Sequence, residues 1–345
     1  MDLADKLIAN GSLALDEYRD LIAGCTPDQA QRLAQAATRI RRQHFGDRIY
    51  TRGLIELTSH CANDCLYCGL RRSNRQAHRY RLTTQQVLDC ADTGYELGFR
   101  TFVIQGGEDP YFTDQRLCDL VSALRQRYPD CAITLSMGQR SRESYRRLRQ
   151  AGADRYLLRH ESADPAHYAR LHPAGMTLES RMQCLSDLRE EGFAVGVGFM
   201  VGSPYQTPGH LARDVAFVEA FRPEMCGIGP FVPHHATPFA SFPVGGVDQT
   251  CLMLSILRIV APTCLLPATT ALATIDPQGR ERGILSGANV VMPNLSPVGV
   301  RGWYDLYDNK ACTGEEAAEC AGCLAGRMAS IGCHLVVDRG DPPGW

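Results

Sequence analysis

No stretch of this chain approaches the ~20 consecutive apolar residues needed to cross a bilayer, so a membrane-embedded role is not expected. An excess of charge is also missing. The 36 Lys+Arg face 38 Asp+Glu, for a net charge of −2, so composition points to no nucleic-acid partner, although a local basic surface can hide in a neutral total. The opening MDLADKLIAN has acidic residues and no apolar signal core, so export is not expected and a cytoplasmic location is. Low-complexity linkers and short repeats are lacking too. What remains is globular in composition, 44% hydrophobic and 21% charged with 32 Gly and 19 Pro. That excludes disordered, collagen-like and disulfide-stapled classes. A length of 345 residues suits two modest domains or one large α/β barrel.

Short β-rich runs alternate with longer helical stretches. The candidate strands are residues 53–58 (GLIELT), 101–105 (TFVIQ), 132–136 (AITLS), 155–159 (RYLLR), 194–200 (AVGVGFM), 225–229 (MCGIG), 264–268 (CLLPA) and 289–292 (NVVM). Between them lie amphipathic segments with start signals. Thr83 to Gln86 has the pattern of a capping box, and residues 141–150 and 177–191 read as helices ending near Gly152 and Gly192. Strands that are apolar almost throughout, alternating with helices, indicate a parallel sheet covered on both faces. The expectation is an α/β fold: a complete (β/α)8 TIM-type barrel over residues 49–302, a helical N-terminal extension over 1–48, and a Cys-containing C-terminal segment over 303–345. Thr26-Pro27-Asp28-Gln29 opens a helix of that extension.

Cysteine is the anomaly, with 15 in a chain expected to sit in a reducing compartment, where metal binding outranks disulfides. Cys25, Cys90, Cys118, Cys131, Cys184, Cys226, Cys251, Cys264 and Cys333 are scattered and read as small buried hydrophobes. The other six form two groups. Cys61, Cys65 and Cys68 are spaced C-x3-C-x2-C directly after the first strand. Three thiolates on one short loop suit three irons of a 4Fe-4S cluster, with the fourth iron free for another ligand. Zinc is the alternative, although it usually shows C-x2-C pairs with distant partners. Cys312, Cys320 and Cys323 form a second trio, C-x7-C-x2-C, for which an auxiliary iron–sulfur cluster, a zinc site and idle thiols all stand.

The first trio, with Tyr67 before its last cysteine, resembles the signature of the radical S-adenosylmethionine (SAM) superfamily. The resemblance implies a cluster whose free iron is chelated by SAM, and reductive cleavage to methionine and a 5′-deoxyadenosyl radical. It also implies site residues at the strand ends. Gly106, Gly107 and Glu108 would meet the SAM amino group, Glu161 the ribose, Arg181 the carboxylate, and Gly229 in the GIGPF run the adenine; Tyr67 belongs to the same set.

Within that superfamily, CLYCGLRR at 65–72, QGGEDPY at 105–111, ADRYLLRHE at 153–161, GIGPFVPH at 227–234, PATTA at 267–271 and GANVVMPN at 287–294 look like the HydE family, maturases of FeFe-hydrogenase. The match runs from about Leu15 into the C-terminal segment. It implies a cysteine-bound iron complex with carbonyl and cyanide ligands as substrate, made by HydG and converted toward a diiron precursor. HydG and HydF are the implied partners. The implied substrate residues are Arg155, Arg159, Thr269, Thr270, Met225, Met292 and Tyr304, with the two arginines forming an anion site. The second cysteine trio is similar in position to an auxiliary-cluster site of this family. Two rivals are a methylornithine-synthase-like (PylB) mutase and a non-catalytic iron–sulfur scaffold. Biotin synthase, a third, needs cluster-binding cysteines on barrel strands, which FVIQ, ITLS and VGFM do not offer.

Overall fold

A computed structural model describes residues 2–311, 314 and 321–345. Three helices lead the chain, α1 (Leu3–Asn10), α2 (Leu15–Gly24) and α3 (Pro27–Phe45). The last begins at the Thr26 cap with proline in its first turn, as its sequence predicts. There follow β1 (Arg48–Thr51), β2 (Gly53–Thr58), α4 (Thr84–Glu96), β3 (Thr101–Gly106), α5 (Asp114–Arg127), β4 (Ala132–Ser136), α6 (Arg142–Gln150), β5 (Arg155–Leu157), α7 (Pro165–Leu171) and α8 (Leu178–Glu190). The second half holds β6 (Ala194–Val197), β7 (Met200–Val201), α9 (Pro208–Phe221), β8 (Met225–Cys226), β9 (Gly229–Pro230), α10 (Val247–Val260), α11 (Thr270–Ile275), α12 (Gly279–Leu285), β10 (Val290–Val291) and α13 (Val298–Arg301). The final elements are α14 (Ala321–Ser330) and β11 (His334–Val336). Thr83 caps α4 by accepting from the Gln86 amide, and the Gln86 side chain accepts from the Thr83 amide.

Six strands form a parallel sheet in the order β2-β3-β4-β5-β6-β8. Single parallel bridges carry the pattern onward, from Met225 to Leu265 and from Pro267 to Val290, while β10 pairs with β1 and Asn294 with Leu54. The strands are buried almost throughout; β2 is buried at every residue. Apolar side chains between sheet and helices make the main core, with Ile55, Phe102, Ile133, Val195 and Leu257 among its fully buried members.

Several strands differ from the sequence expectation for local reasons. Residues 194–200 divide into β6 and β7 around Gly198, whose backbone lies so close to Gly227 that an added Cβ would sit 2.0 Å from its carbonyl oxygen. Residues 264–268 make only bridges, since Pro267 brings no amide hydrogen to a ladder. The first strand starts earlier than the sequence suggests, at β1. There β11 pairs in parallel on the other side, Arg48 with His334 and Tyr50 with Val336. The chain's end thus returns beneath the sheet, where Thr101 Oγ1 donates to the Arg339 carbonyl at 2.6 Å. Among the described residues, no helix is long and apolar enough to cross a membrane.

Candidate active site

The loop that follows β2 carries Cys61, Cys65 and Cys68, and its shape comes from hydrogen bonds. The Ala62 amide donates to the Glu108 carbonyl at 2.8 Å and the Arg72 amide to that of Asn63 at 2.8 Å. Asp64 pairs with Arg71 at 2.8 Å and accepts from the Ser73 amide and hydroxyl. Arg79 donates to the carbonyls of Ser59, Leu70, Arg71 and Asn74, closing the loop around one guanidinium.

None of the three thiols is in a disulfide. Burial pushes the Cys65 thiol far up, and negative charge on Cys68 and Cys61 adds to it; burial lifts Cys68 to about 12. Three thiols that resist ionisation together are a site that calls for positive charge. At least one pair of these sulfurs is farther apart than 4.8 Å. A lone tetrahedral zinc with bonds of about 2.3 Å would hold its sulfurs about 3.8 Å apart. The donor set therefore fits a polynuclear iron–sulfur group better than a single zinc.

The turn after β3 packs on this loop because it is glycine. A Cβ on Gly107 would stand 2.2 Å from the His60 carbonyl oxygen and 2.8 Å from the Cys61 Cβ. Glu108 Oε1 accepts from the Gln139 amide at 3.1 Å. Gly138, at φ +74°, makes room for that carboxylate, since its own Cβ would come within 2.0 Å of Glu108 Cγ.

At the C-terminal strand ends lies a cavity of about 360 Å³. Of the residues singled out in the sequence, Cys65, Tyr67, Cys68, Gly106, Arg159, Glu161, Gly229, Thr269, Thr270, Met292 and Tyr304 line it. Arg159 and Glu161 stand 3.2 Å apart. Outside that ion pair, Arg159 Nε and Thr269 Oγ1 are shut from water without a hydrogen-bond partner, each at a cost of about 1–3 kcal/mol. Polar atoms aimed unpaired into a cavity fit a polar ligand there. Glu161 also has a left-handed backbone, φ 62°, fixed by its amide donating to the Gly198 carbonyl at 2.9 Å.

Arg181 comes from α8 and is buried beside Tyr168, with Nε donating to the Tyr168 hydroxyl at 3.5 Å. Its charge opposes the rise of Cys65 and of Tyr67. The Tyr67 hydroxyl lies 3.3 Å from His172 Nε2, and burial holds that phenol far above its usual range.

Two expected substrate residues lie elsewhere. Arg155 is wholly buried at the opposite end of the sheet, where Nη2 pairs with Asp341 at 2.6 Å and donates to the Arg339 carbonyl at 2.8 Å. Its charge is thus taken up by the C-terminal tail, and the anion site keeps only Arg159. Met225 packs with Phe45, Tyr50, Leu265 and Val290 and accepts from Arg52 on its sulfur at 3.0 Å. Cys312 and Cys320 lie outside the described residues, and Cys323 is exposed.

Sequence reasoning missed the pair of Glu56 and Lys310, 2.5 Å apart and both lining the cavity. Asn294 donates to the same carboxylate at 2.9 Å, and burial raises the Glu56 pKa despite Lys310. An acid inside GLIELT, an otherwise largely apolar run, is a readable signal. Lys310, 254 residues away, offers none.

Residues 55–218 match the Radical SAM superfamily model. The chain is 41% identical over 300 residues to the [FeFe] hydrogenase maturase subunit HydE of Thermotoga maritima, covering 87% of this chain and 85% of that protein. To the 3-methylornithine synthase of Methanosarcina barkeri it is 27% identical, covering 86% and 83% of the two chains. Among solved structures, methylornithine synthase (PylB) superposes with a TM-score of 0.81 at 22% identity, covering 97% of both chains. HydG, a maturase of the [FeFe]-hydrogenase, also gives 0.81, at 18% identity, over 97% of this chain and 75% of the other.

Proposed function

The chain belongs to the HydE family of radical SAM enzymes, and we propose that it acts on a cysteine-bound iron complex carrying carbonyl and cyanide ligands, held in the cavity at the strand ends. Its role lies in FeFe-hydrogenase maturation, with a 4Fe-4S cluster and SAM as cofactors. Cys61, Cys65 and Cys68 would hold the cluster, and together with SAM it supplies one-electron cleavage of the sulfonium to methionine and a 5′-deoxyadenosyl radical.

The chain's own residues bind, orient and exclude water. The Gly106–Gly107 turn and the carboxylate of Glu108 serve the amino group of SAM. Arg181 offers its carboxylate a forked donor. Glu161 takes the ribose hydroxyls, its left-handed backbone aiming the carboxylate into the cavity. Gly229 leaves space beside the adenine that a Cβ, 2.7 Å from Thr269 Oγ1, would fill. Arg159, Thr269, Thr270, Met292 and Tyr304 serve the substrate. The half-buried cation of Arg159 favours an anionic group, a carboxylate or a cyanide.

The observation that carries this reading is the Arg159–Glu161 ion pair with the unpartnered atoms Arg159 Nε and Thr269 Oγ1 beside it, in one cavity with the thiol loop. The circuit of parallel pairings from β2 through β8, residues 265 and 267 and β10 back to the first strand supports a complete (β/α)8 barrel. HydG as supplier of the iron complex, HydF as its recipient, a cytoplasmic setting and an auxiliary cluster at Cys312, Cys320 and Cys323 complete the proposal.

The test is anaerobic deoxyadenosine formation by the reconstituted, dithionite-reduced protein, with and without the cysteine-bound dicarbonyl-cyano iron complex. Strong stimulation by the complex is expected, with loss of all cleavage in Cys65→Ala. Cleavage indifferent to the complex would remove the substrate assignment, and cleavage retained in Cys65→Ala would remove the cluster ligands.

A further inference from the structure

Two ion pairs line the cavity, and they come from different walls. Arg159 and Glu161 follow β5, whereas Glu56 stands on β2, with β3 and β4 between the two strands in the sheet. Glu56 is firmly held. Its amide donates to Ser296 Oγ at 2.8 Å, Asn294 Nδ2 donates to Oε2 at 2.9 Å, and the Ser296 amide donates to Asn294 Oδ1 at 2.9 Å. Lys310 Nζ donates to Glu56 Oε1 at 2.5 Å and to the Tyr304 carbonyl at 2.8 Å. Both side chains of this pair are buried.

Each oxygen of the Glu56 carboxylate thus has a donor, while the ammonium keeps one in hand. A protonated lysine has three N–H donors, and among the described residues two of them have acceptors. The third is left for the cavity that Lys310 lines. Stability does not account for the pair, since apolar side chains of similar volume often serve as well or better. The two cations of the cavity also differ in shape. The guanidinium of Arg159 is a planar fork that matches the two oxygens of a carboxylate, whereas an ammonium is a point donor. A metal-bound cyanide offers one lone pair, on its nitrogen and along the carbon–nitrogen axis, which a point donor meets end-on.

We propose that Lys310 is the hydrogen-bond donor to the cyanide nitrogen of the iron complex and thereby decides which ligand of the iron faces β2. The proposal rests on the substrate reading above and deepens it. Arg159 takes the carboxylate of the bound cysteine and Lys310 the cyanide, so the complex is gripped at two ends and turned one way. Carbonyl ligands, much weaker acceptors, are left to the apolar part of the lining, which includes Leu54, Leu157 and Met292. Glu56 acts through Lys310 as a positioning residue and keeps the ammonium in place.

The test uses the full chain with its cluster reconstituted and left oxidised, SAM bound, and the cysteine-bound dicarbonyl-cyano iron complex as probe, so that binding is read without turnover. Infrared spectra follow the cyanide stretch, and equilibrium dialysis follows affinity. The double variant Glu56→Gln/Lys310→Met leaves no unpaired charge in the wall. It should weaken binding of the complex about 10- to 100-fold, the strength of one charge-assisted hydrogen bond. The bound cyanide band should move to lower frequency, because a donor on the nitrogen is lost, while SAM affinity stays level. Arg159→Met should weaken binding but leave that band where the wild type has it. Lys310→Arg keeps a buried cation and a donor, and should move the band only part of the way. The cysteamine-bound complex, which lacks the carboxylate, should bind the wild type more weakly and still show the band shift in the double variant. A shift that vanishes with the carboxylate would assign Lys310 to that group and overturn the proposal. So would a cyanide band unmoved in both Lys310 variants. Failure of the wild type to bind the complex at all would sink the substrate reading, and the proposal with it.

Discussion

Glu161 carries the largest local departure in the cavity, a non-glycine residue at φ 62°. Such a conformation costs of order 1–3 kcal/mol and persists only where surroundings fix it. Here the Gly198 carbonyl holds the amide, and the neighbouring His160 packs against Phe199 and Phe217 and faces Asp214 at 3.3 Å. Glu161→Gln keeps the shape and removes the charge. A charge-assisted hydrogen bond is worth about 1.5–3 kcal/mol, so the dissociation constant for SAM should rise about 10- to 100-fold, with the iron–sulfur absorbance unchanged; equilibrium dialysis reads the first and optical spectra the second. Arg159→Met should behave differently. It should leave uncoupled SAM cleavage largely intact and abolish turnover of the iron complex, and an undiminished product yield would place the anion site elsewhere.

The thiol loop is legible at the element scale because its ligands are spaced within one short segment and need no tertiary information to be recognised. Helix starts are legible for the same reason: Thr26, Thr83, Ser141 and Thr177 each accept from the amide three residues on. The floor beneath the sheet is not. It is built by β11 and the residues after it, which reach Arg155 across 186 positions. Asp341→Asn would leave that buried guanidinium without its carboxylate. Loss of one partner of a fully buried pair costs about 3–5 kcal/mol. Asp341 is 30% exposed, so a loss of about 2 kcal/mol is expected, read from the shift in the urea midpoint, with SAM binding preserved.

For the whole molecule, pH stability follows from histidines folded in neutral form. His167 on α7 is 1% exposed, its ring between the Ser162 hydroxyl at 3.0 Å and the Pro204 carbonyl at 3.1 Å. Burial lowers its pKa to about 4. Between the ordinary value of about 6.5 and about 4 the unfolded chain binds a proton that the folded chain refuses. Stability therefore falls as pH drops through that window, by about 1.4 kcal/mol per pH unit for this group, and its contribution levels off below it. His167→Gln should flatten the pH dependence of Tm between pH 6.5 and 5, and an unaltered slope would mean that His167 is not the group responsible.

The sequence by itself determined the cofactor loop, the helix boundaries and the alternation of buried strands with helices. These depend on spacing within one or two turns of chain. Alternation also put Arg155, Leu157 and Arg159 on one face of their strand, since every second side chain points the same way. It could not say at which height each would sit. Four residues of extended chain rise about 13 Å, enough to separate floor from cavity. The returning C-terminal strand decided that Arg155 belongs to the floor, and Arg159 to the cavity. Glu56 and Lys310 meet for the same reason, 254 residues apart. Distance along the chain carries no signal of such contacts, and only closure of the tertiary structure makes burial, charge pairing and hydrogen bonding choose them.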